Sequence, residues 1–171
     1  EASAKVLRGN EIDFDVPTVT GTENLLMAAV LAQGRTVLRN AAREPEIVAL
    51  AETLKAMGAD IQGAGTAEIT IDGVPELRPV ETRIMPDRIE AGTFMFAAAI
   101  TKSRLQIRNC DINNMVAVVD RLQHIGSVVG PTADGCEVAH YGPIRSADIT
   151  TQPYPAFPTD MQAQFMALLA L

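Results

Sequence analysis

The sequence predicts a mixed α/β chain of repeated β-α-β-α-β-β units, with helices buried inside and sheets facing outward. Three observations predict it. The segment Asn24 to Asn40 recurs 69 positions later as Thr93 to Asn109, with Leu25-Leu26-Met27-Ala28-Ala29 answered by Phe94-Met95-Phe96-Ala97-Ala98, and Arg35-Thr36-Val37-Leu38-Arg39-Asn40 by Arg104-Leu105-Gln106-Ile107-Arg108-Asn109. Within each copy, apolar periodicity switches between helical and strand spacing. The segments Leu25 to Leu31 and Phe94 to Ile100 are apolar nearly all round, which predicts helices buried on every side.

Each first helix opens on what reads as a capping box, an N-cap acceptor with Glu or Gln three residues on: Thr20 with Glu23, Asp87 with Glu90, Thr159 with Gln162. A strand follows over Arg35 to Asn40 and over Arg104 to Asn109. The second helix covers about Glu46 to Met57, behind Pro45 at a first-turn site, and about Asn113 to Ile125. Gly58 and Gly126 stand where a left-handed residue ends a helix. Two short strands close each copy, Asp60 to Gln62 with Glu68 to Ile71, and Ser127 to Val129 with Cys136 to Ala139. A third copy opens near Asp160, where Phe165-Met166 echoes Phe94-Met95. About seventy residues cannot cover both faces of such a sheet, so neighbouring copies are expected to share a core.

Composition narrows the function classes. The chain has 171 residues, and 14 Lys and Arg against 21 Asp and Glu leave a net charge of −7. That balance argues against binding nucleic acid through bulk positive charge. The longest apolar runs fall short of the roughly 18 residues of a membrane span. Glu1-Ala2-Ser3-Ala4-Lys5 has no apolar core behind a basic start, so no secretory leader is expected there. Cys110 and Cys136 form no CxxC pair, which supports neither a zinc site nor a disulfide framework and fits a reducing compartment. The sequence stops inside the apolar stretch Gln162 to Leu171 without a capping glycine, and is expected to be a piece of a longer chain.

Four polar segments exceed what the repeat needs: Pro17 to Asn24, Ala41 to Glu46, Met85 to Thr93, and Ala156 to Gln162. Three lie at starts of first-type helices, where free N–H groups and the helix dipole favour anions. Structural roles compete at every position. Thr20, Asp87 and Thr159 are accounted for as caps, Glu23 and Asp160 as first-turn acids, and Glu44 and Glu46 as a solvated helix start. His124 fits a helix C-terminus, His140 a turn, and Cys110 a small buried hydrophobe. No metal cluster, P-loop or Ser-His-Asp order stands out.

Together, Asn40-Ala41-Ala42-Arg43-Glu44-Pro45-Glu46, Pro86-Asp87-Arg88-Ile89-Glu90-Ala91-Gly92-Thr93 and Phe157-Pro158-Thr159-Asp160-Met161-Gln162 resemble the motifs of the UDP-N-acetylglucosamine 1-carboxyvinyltransferase family, enolpyruvyl transferases of peptidoglycan synthesis. The resemblance spans the whole sequence and corresponds to the middle portion of a longer enzyme. It implies an inside-out α/β barrel of six such units in two lobes, here incomplete. Residues 1–85 would belong to one lobe, on the UDP-sugar side, and residues 86–171 to the second. The implied reaction is enolpyruvyl transfer from phosphoenolpyruvate to the 3-hydroxyl of UDP-N-acetylglucosamine, in the cytoplasm and without a cofactor or metal.

By the same resemblance Asp160 contacts the sugar 3-hydroxyl and removes its proton. Thr18, Val19 and Thr20 lie against the diphosphate; Glu44, Glu46, Asp87 and Arg88 lie near the cleft. Val16 departs from the lysine that some members carry just before that loop. The family's loop cysteine and its phosphoenolpyruvate-clamping cations match nothing here, and Cys110 is not that cysteine. This portion alone is therefore expected to be inactive and to associate through uncovered apolar helix faces. A 5-enolpyruvylshikimate-3-phosphate synthase-like enzyme and a non-catalytic repeat module are the alternatives.

Overall fold

In the computed structural model, which describes residues 4–171, the chain divides between Met85 and Pro86 into two compact units. Glu1-Ala2-Ser3, part of the stretch inspected for a leader, lies outside the described residues. The first unit runs β1 (Glu11–Asp13), α1 (Val19–Ala29), β2 (Arg35–Arg39), α2 (Pro45–Ala56), β3 (Asp60–Gln62) and β4 (Glu68–Asp72). This is the full β-α-β-α-β-β order. Its sheet is ordered β1-β2-β4-β3, with β1 and β2 parallel and the other pairs antiparallel. A parallel pair needs a crossover, and α1 supplies it.

The second unit runs α3 (Arg88–Ile100), β5 (Arg104–Arg108), α4 (Val116–His124), β6 (Val128–Thr132), β7 (Gly135–Ala139) and α5 (Gln162–Leu169). Its sheet is ordered β5-β7-β6 and is antiparallel throughout. Within the second unit no strand precedes α3, so among the described residues this copy lacks the leading strand that the repeat predicts. The α4 boundary also shifts. A 3-10 turn, Ile112–Met115, occupies the predicted first turn, because the Asp111 side chain accepts from Asn113 N–H and holds that turn tight.

Each unit is a two-layer packing with its own core. In β2 and β4 the inward residues Thr36, Leu38, Ile69 and Ile71 are buried. They meet Leu26, Ala29, Ile47, Ala51 and Leu54 from α1 and α2. The second core gathers Met95, Phe96, Val118, Leu122, Cys136, Val138, Met161, Phe165 and Leu168. The outward sheet faces carry ion pairs instead. Arg35 binds Asp72 through two N–H donors at 2.9 and 2.7 Å, Arg39 reaches Glu11 and Glu68, and Arg104 binds Glu137 at 2.6 Å.

Both second-type helices end alike. Gly58 (φ +107°) and Gly126 (φ +111°) are left-handed, and the N–H groups of Gly58 and Ala59 donate to Lys55 and Leu54 carbonyls. Gly126 and Ser127 donate equivalently to Gln123 and Leu122, giving two Schellman ends.

Three expectations are corrected. The cap of α1 is Thr18, not Thr20: its hydroxyl accepts from Gly21 N–H, as Asp87 accepts from Ile89 and Glu90 N–H at α3. Thr18 and Asp87 are the positions 69 apart, so the repeat itself favours Thr18. Thr159 caps nothing, because it lies inside a 3-10 turn, Thr159–Met161, that leads into α5. The first-type helices are not buried all round. Met27, Leu31, Phe94 and Met166 are about half exposed or more, since each unit covers only one side of its helices. No closed barrel forms among the described residues.

Candidate functional site

In the first unit the start of α1 is tied to the loop before α2. Thr18, in extended conformation, accepts from Gly21 N–H at 3.2 Å through its hydroxyl and from Thr22 N–H at 2.9 Å through its carbonyl. The first N–H groups of the helix, those of Val19 and Thr20, have no intrahelical acceptor and face outward at its positive end. Thr22 is fully buried; its hydroxyl donates to Thr18 O at 2.7 Å and accepts from Ala42 N–H at 3.0 Å. Thr22 thus joins the Thr18-Val19-Thr20 turn to the Ala41 to Glu46 segment. Sequence reasoning missed it, although it lies one helical turn beyond the cap.

Glu44 corrects an expectation. It is the N-cap residue of α2 and is 8% exposed, not solvated, and its side chain makes no capping bond. Its Oε2 is buried without a hydrogen-bond partner. Pro45 fills the first helical position, where no N–H is needed, and Glu46 is half-buried in the first turn. The segment is reached from β2 through Asn40 in the left-handed region (φ 54°), with its amide Nδ2 donating to Phe14 O at 2.8 Å. Asn109, its repeat counterpart, has φ 52°. Asn tolerates that conformation better than most residues, which explains an Asn at both strand ends.

In the second unit Asp87 caps α3, accepting from Ile89 N–H at 2.8 Å and Glu90 N–H at 3.2 Å. Arg88 is 8% exposed, and its guanidinium carbon lies 5.7 Å from the centroid of the Tyr154 ring, within cation-π range. Asp160 is exposed in the 3-10 turn before α5, between buried Phe157 and Met161. The structure therefore groups Thr18, Val19 and Thr20 with Glu44 and Glu46 in one unit. It groups Asp87 and Arg88 with the Asp160 segment in the other. A cleft of about 430 Å³ in the second unit, along Ala147 to Thr151 and α5, is lined by Ile149, Phe165, Met166 and Leu169, and Asp160 is not among its lining residues.

Elsewhere the titratable groups look structural. Cys110 and Cys136 are buried with sulfurs 3.6 Å apart, and burial pushes the Cys136 thiol up to about 12 and the Cys110 thiol upward. His140, expected in a turn, is buried just after β7; its Nδ1 is 3.0 Å from the Ser127 hydroxyl and its Nε2 3.1 Å from Gly142 O. Among the described residues no helix is long and apolar enough to cross a membrane.

Repeated α/β units with one-sided sheets, and polar turns at the starts of their first helices, are an architecture that this chain shares with enolpyruvyl transferases of known structure. Residues 1–171 match the EPSP synthase (3-phosphoshikimate 1-carboxyvinyltransferase) family, and the chain belongs to it. Among individual relatives it is 56% identical over 171 residues to the UDP-N-acetylglucosamine 1-carboxyvinyltransferase of Desulforapulum autotrophicum and 57% identical to that of Geotalea daltonii. Each match covers 100% of this chain and 41% of the relative, so the chain spans about two fifths of their length. The enolpyruvyl transferase NikO from Streptomyces tendae superposes with a TM-score of 0.82 at 24% identity, over 97% of this chain and 42% of that one. EPSP synthase from Acinetobacter baumannii superposes at 0.57 and 23% identity, over 81% and 32%. These two structures establish the fold.

Proposed function

We propose that the full-length protein carrying this chain transfers the enolpyruvyl group of phosphoenolpyruvate to the 3-hydroxyl of UDP-N-acetylglucosamine, in the cytoplasm, as the first committed step of peptidoglycan precursor synthesis. The observation that carries this reading is identity of 56 to 57% along all 171 residues to two relatives bearing that name. In the proposed reaction the sugar oxygen bonds to C2 of phosphoenolpyruvate while C3 gains a proton. C3 then loses a proton as the C2–O bond to phosphate breaks, which restores the double bond and releases phosphate. Asp160 takes the proton of the 3-hydroxyl. The outward N–H groups at Val19 and Thr20, with the Thr18 cap behind them, lie against the diphosphate, where a helix N-terminus offers donors to an anion. Val16 brings no cation to that turn, so these backbone donors carry more of the contact than a lysine-bearing relative would ask of them.

A phosphate-release assay on the full-length enzyme tests the reading. Turnover is expected with UDP-N-acetylglucosamine and phosphoenolpyruvate, and the Asp160→Asn variant is expected to lose about a hundredfold or more in kcat, the scale of a lost general base. The family match favours a second acceptor, shikimate 3-phosphate. Thermal stabilisation and turnover with that compound, and neither with the UDP-sugar, would reverse the choice.

A further inference from the structure

One side of α3 holds the segment that carries Asp160 at four successive points. The Arg88 guanidinium carbon is 5.7 Å from the Tyr154 ring centroid. Met161 sits in the space left by the missing side chain of Gly92: a Cβ there would meet Met161 Cε at 2.3 Å and Sδ at 2.6 Å. Gln164 Nε2 donates to Thr93 Oγ1 at 3.0 Å. Phe165 meets Phe96 edge-on, with centroids 6.0 Å apart and planes at 82°. Residues 88, 92, 93 and 96 thus meet 154, 161, 164 and 165 in the same order, and the contacts bracket Asp160.

The turn is also braced from within. Gln152 N–H donates to Phe157 O and Ala156 N–H to Pro153 O, both at 3.1 Å, while Phe157 packs on Phe165 with centroids 5.6 Å apart. Phe157, Met161 and Phe165 are core residues whose burial explains them. Tyr154 differs, being half-buried and outside the core cluster. Its ring meets a guanidinium that is itself 8% exposed, and burying a charge is costly unless a favourable contact offsets it.

We propose that Tyr154, held on Arg88, is a positioning residue for Asp160, fixing the approach of the carboxylate to the acceptor hydroxyl. The proposal rests on the reaction assigned above. It acts through geometry, and a misplacement of about 1 Å at a reacting group can cost roughly a hundredfold in rate. The Tyr154→Leu variant keeps apolar volume and removes the ring face; Tyr154→Phe keeps the face.

The test is steady-state kinetics on the full-length enzyme. Tyr154→Leu is expected to lower kcat about tenfold or more, with KM for both substrates changed less than about threefold; Tyr154→Phe is expected to retain kcat. In an Asp160→Asn background, Tyr154→Leu is expected to cost little more, because the residue acts through a group already removed. A Tyr154→Leu enzyme within about twofold of wild-type kcat overturns the proposal, as does an equal loss in both backgrounds. Should the leucine variant fail to fold, Tyr154→Met is read by the same criteria. A wild-type enzyme that releases no phosphate from the two substrates overturns the assigned reaction. An active wild type with an indifferent Tyr154→Leu variant overturns the positioning role alone.

Discussion

Asp87 lies in one of the four polar segments, yet its carboxylate is occupied by the Ile89 and Glu90 N–H groups at the start of α3. Replacing it with alanine removes an N-cap worth about 1 kcal/mol and a negative charge at the positive helix end worth roughly 0.3 to 1 kcal/mol. Asp87→Asn keeps the acceptor oxygen and loses only the charge. The expected order of stability is wild type, then Asn, then Ala, with Asn about 0.3 to 1 kcal/mol and Ala about 1 to 2 kcal/mol below wild type. Because α3 supplies Met95, Phe96, Ala98 and Ala99 to the second core, the loss is felt by the whole unit. Urea unfolding of the full-length protein measures it. Phosphate release measures the rival role, since a carboxylate that moved a proton could not be replaced by an amide without losing about a hundredfold or more in kcat. The reasoning is refuted if Asn destabilises as much as Ala, or if a folded Asn variant shows that catalytic loss.

The cysteine pair gives a second expectation. With its thiol pushed up to about 12, Cys136 is ionised roughly a thousandfold less at pH 8 than a thiol of ordinary pKa near 9, so iodoacetamide should label it in urea and not in the native protein. Rapid native labelling counts against this burial. Because the folded value lies above the unfolded one, the contribution to stability is complete below about pH 9 and lost as pH rises toward 12. The melting temperature should fall across that window, less steeply in a Cys136→Ala variant. Third, Gly58→Ala and Gly126→Ala should each cost about 1 to 2 kcal/mol, because a Cβ is strained at φ +107° and +111° while nothing closer than 3.5 Å surrounds either site. Unequal losses in urea unfolding would show that something other than backbone strain decides them.

Much of the fold was legible because the repeat carries its own punctuation. Gly58 and Gly126 mark the Schellman ends, Pro45 marks a first turn, and alternation in Arg35 to Arg39 and Arg104 to Arg108 marks two strands whose pairing fixes their neighbours. Cap assignment was harder. Thr18 and Thr20 both stand at the helix start as candidate acceptors, and the repeat offset to Asp87 together with the geometry at Gly21 selects Thr18. Burial of α1 and α3 was overestimated because composition reports what a helix could bury, while the chain present decides what is covered: Phe94 is 51% exposed and Met95 beside it is fully buried. At the candidate site the polar segments were visible as motifs, but their ties were not. Thr22 to Ala42 spans 20 residues and Arg88 to Tyr154 spans 66, and no local pattern encodes such a contact. Glu44 shows the same limit, because a charged residue beside a helix-start proline reads as solvated until tertiary packing closes over it.

The two sheets differ at one edge. In the first unit β1 covers β2 in parallel, whereas among the described residues no strand covers the outer edge of β5. An unpaired edge invites another copy to add itself to the sheet. β5 reads Arg104-Leu105-Gln106-Ile107-Arg108, with its two arginines 65% and 79% exposed. Two copies meeting antiparallel about Gln106 would set Arg104 opposite Arg108 at both ends, placing guanidinium groups face to face across the new seam. The repeated arginines that pair with carboxylates on the outward face of the sheet therefore also discourage growth at its edge, a form of self-protection written into the strand itself.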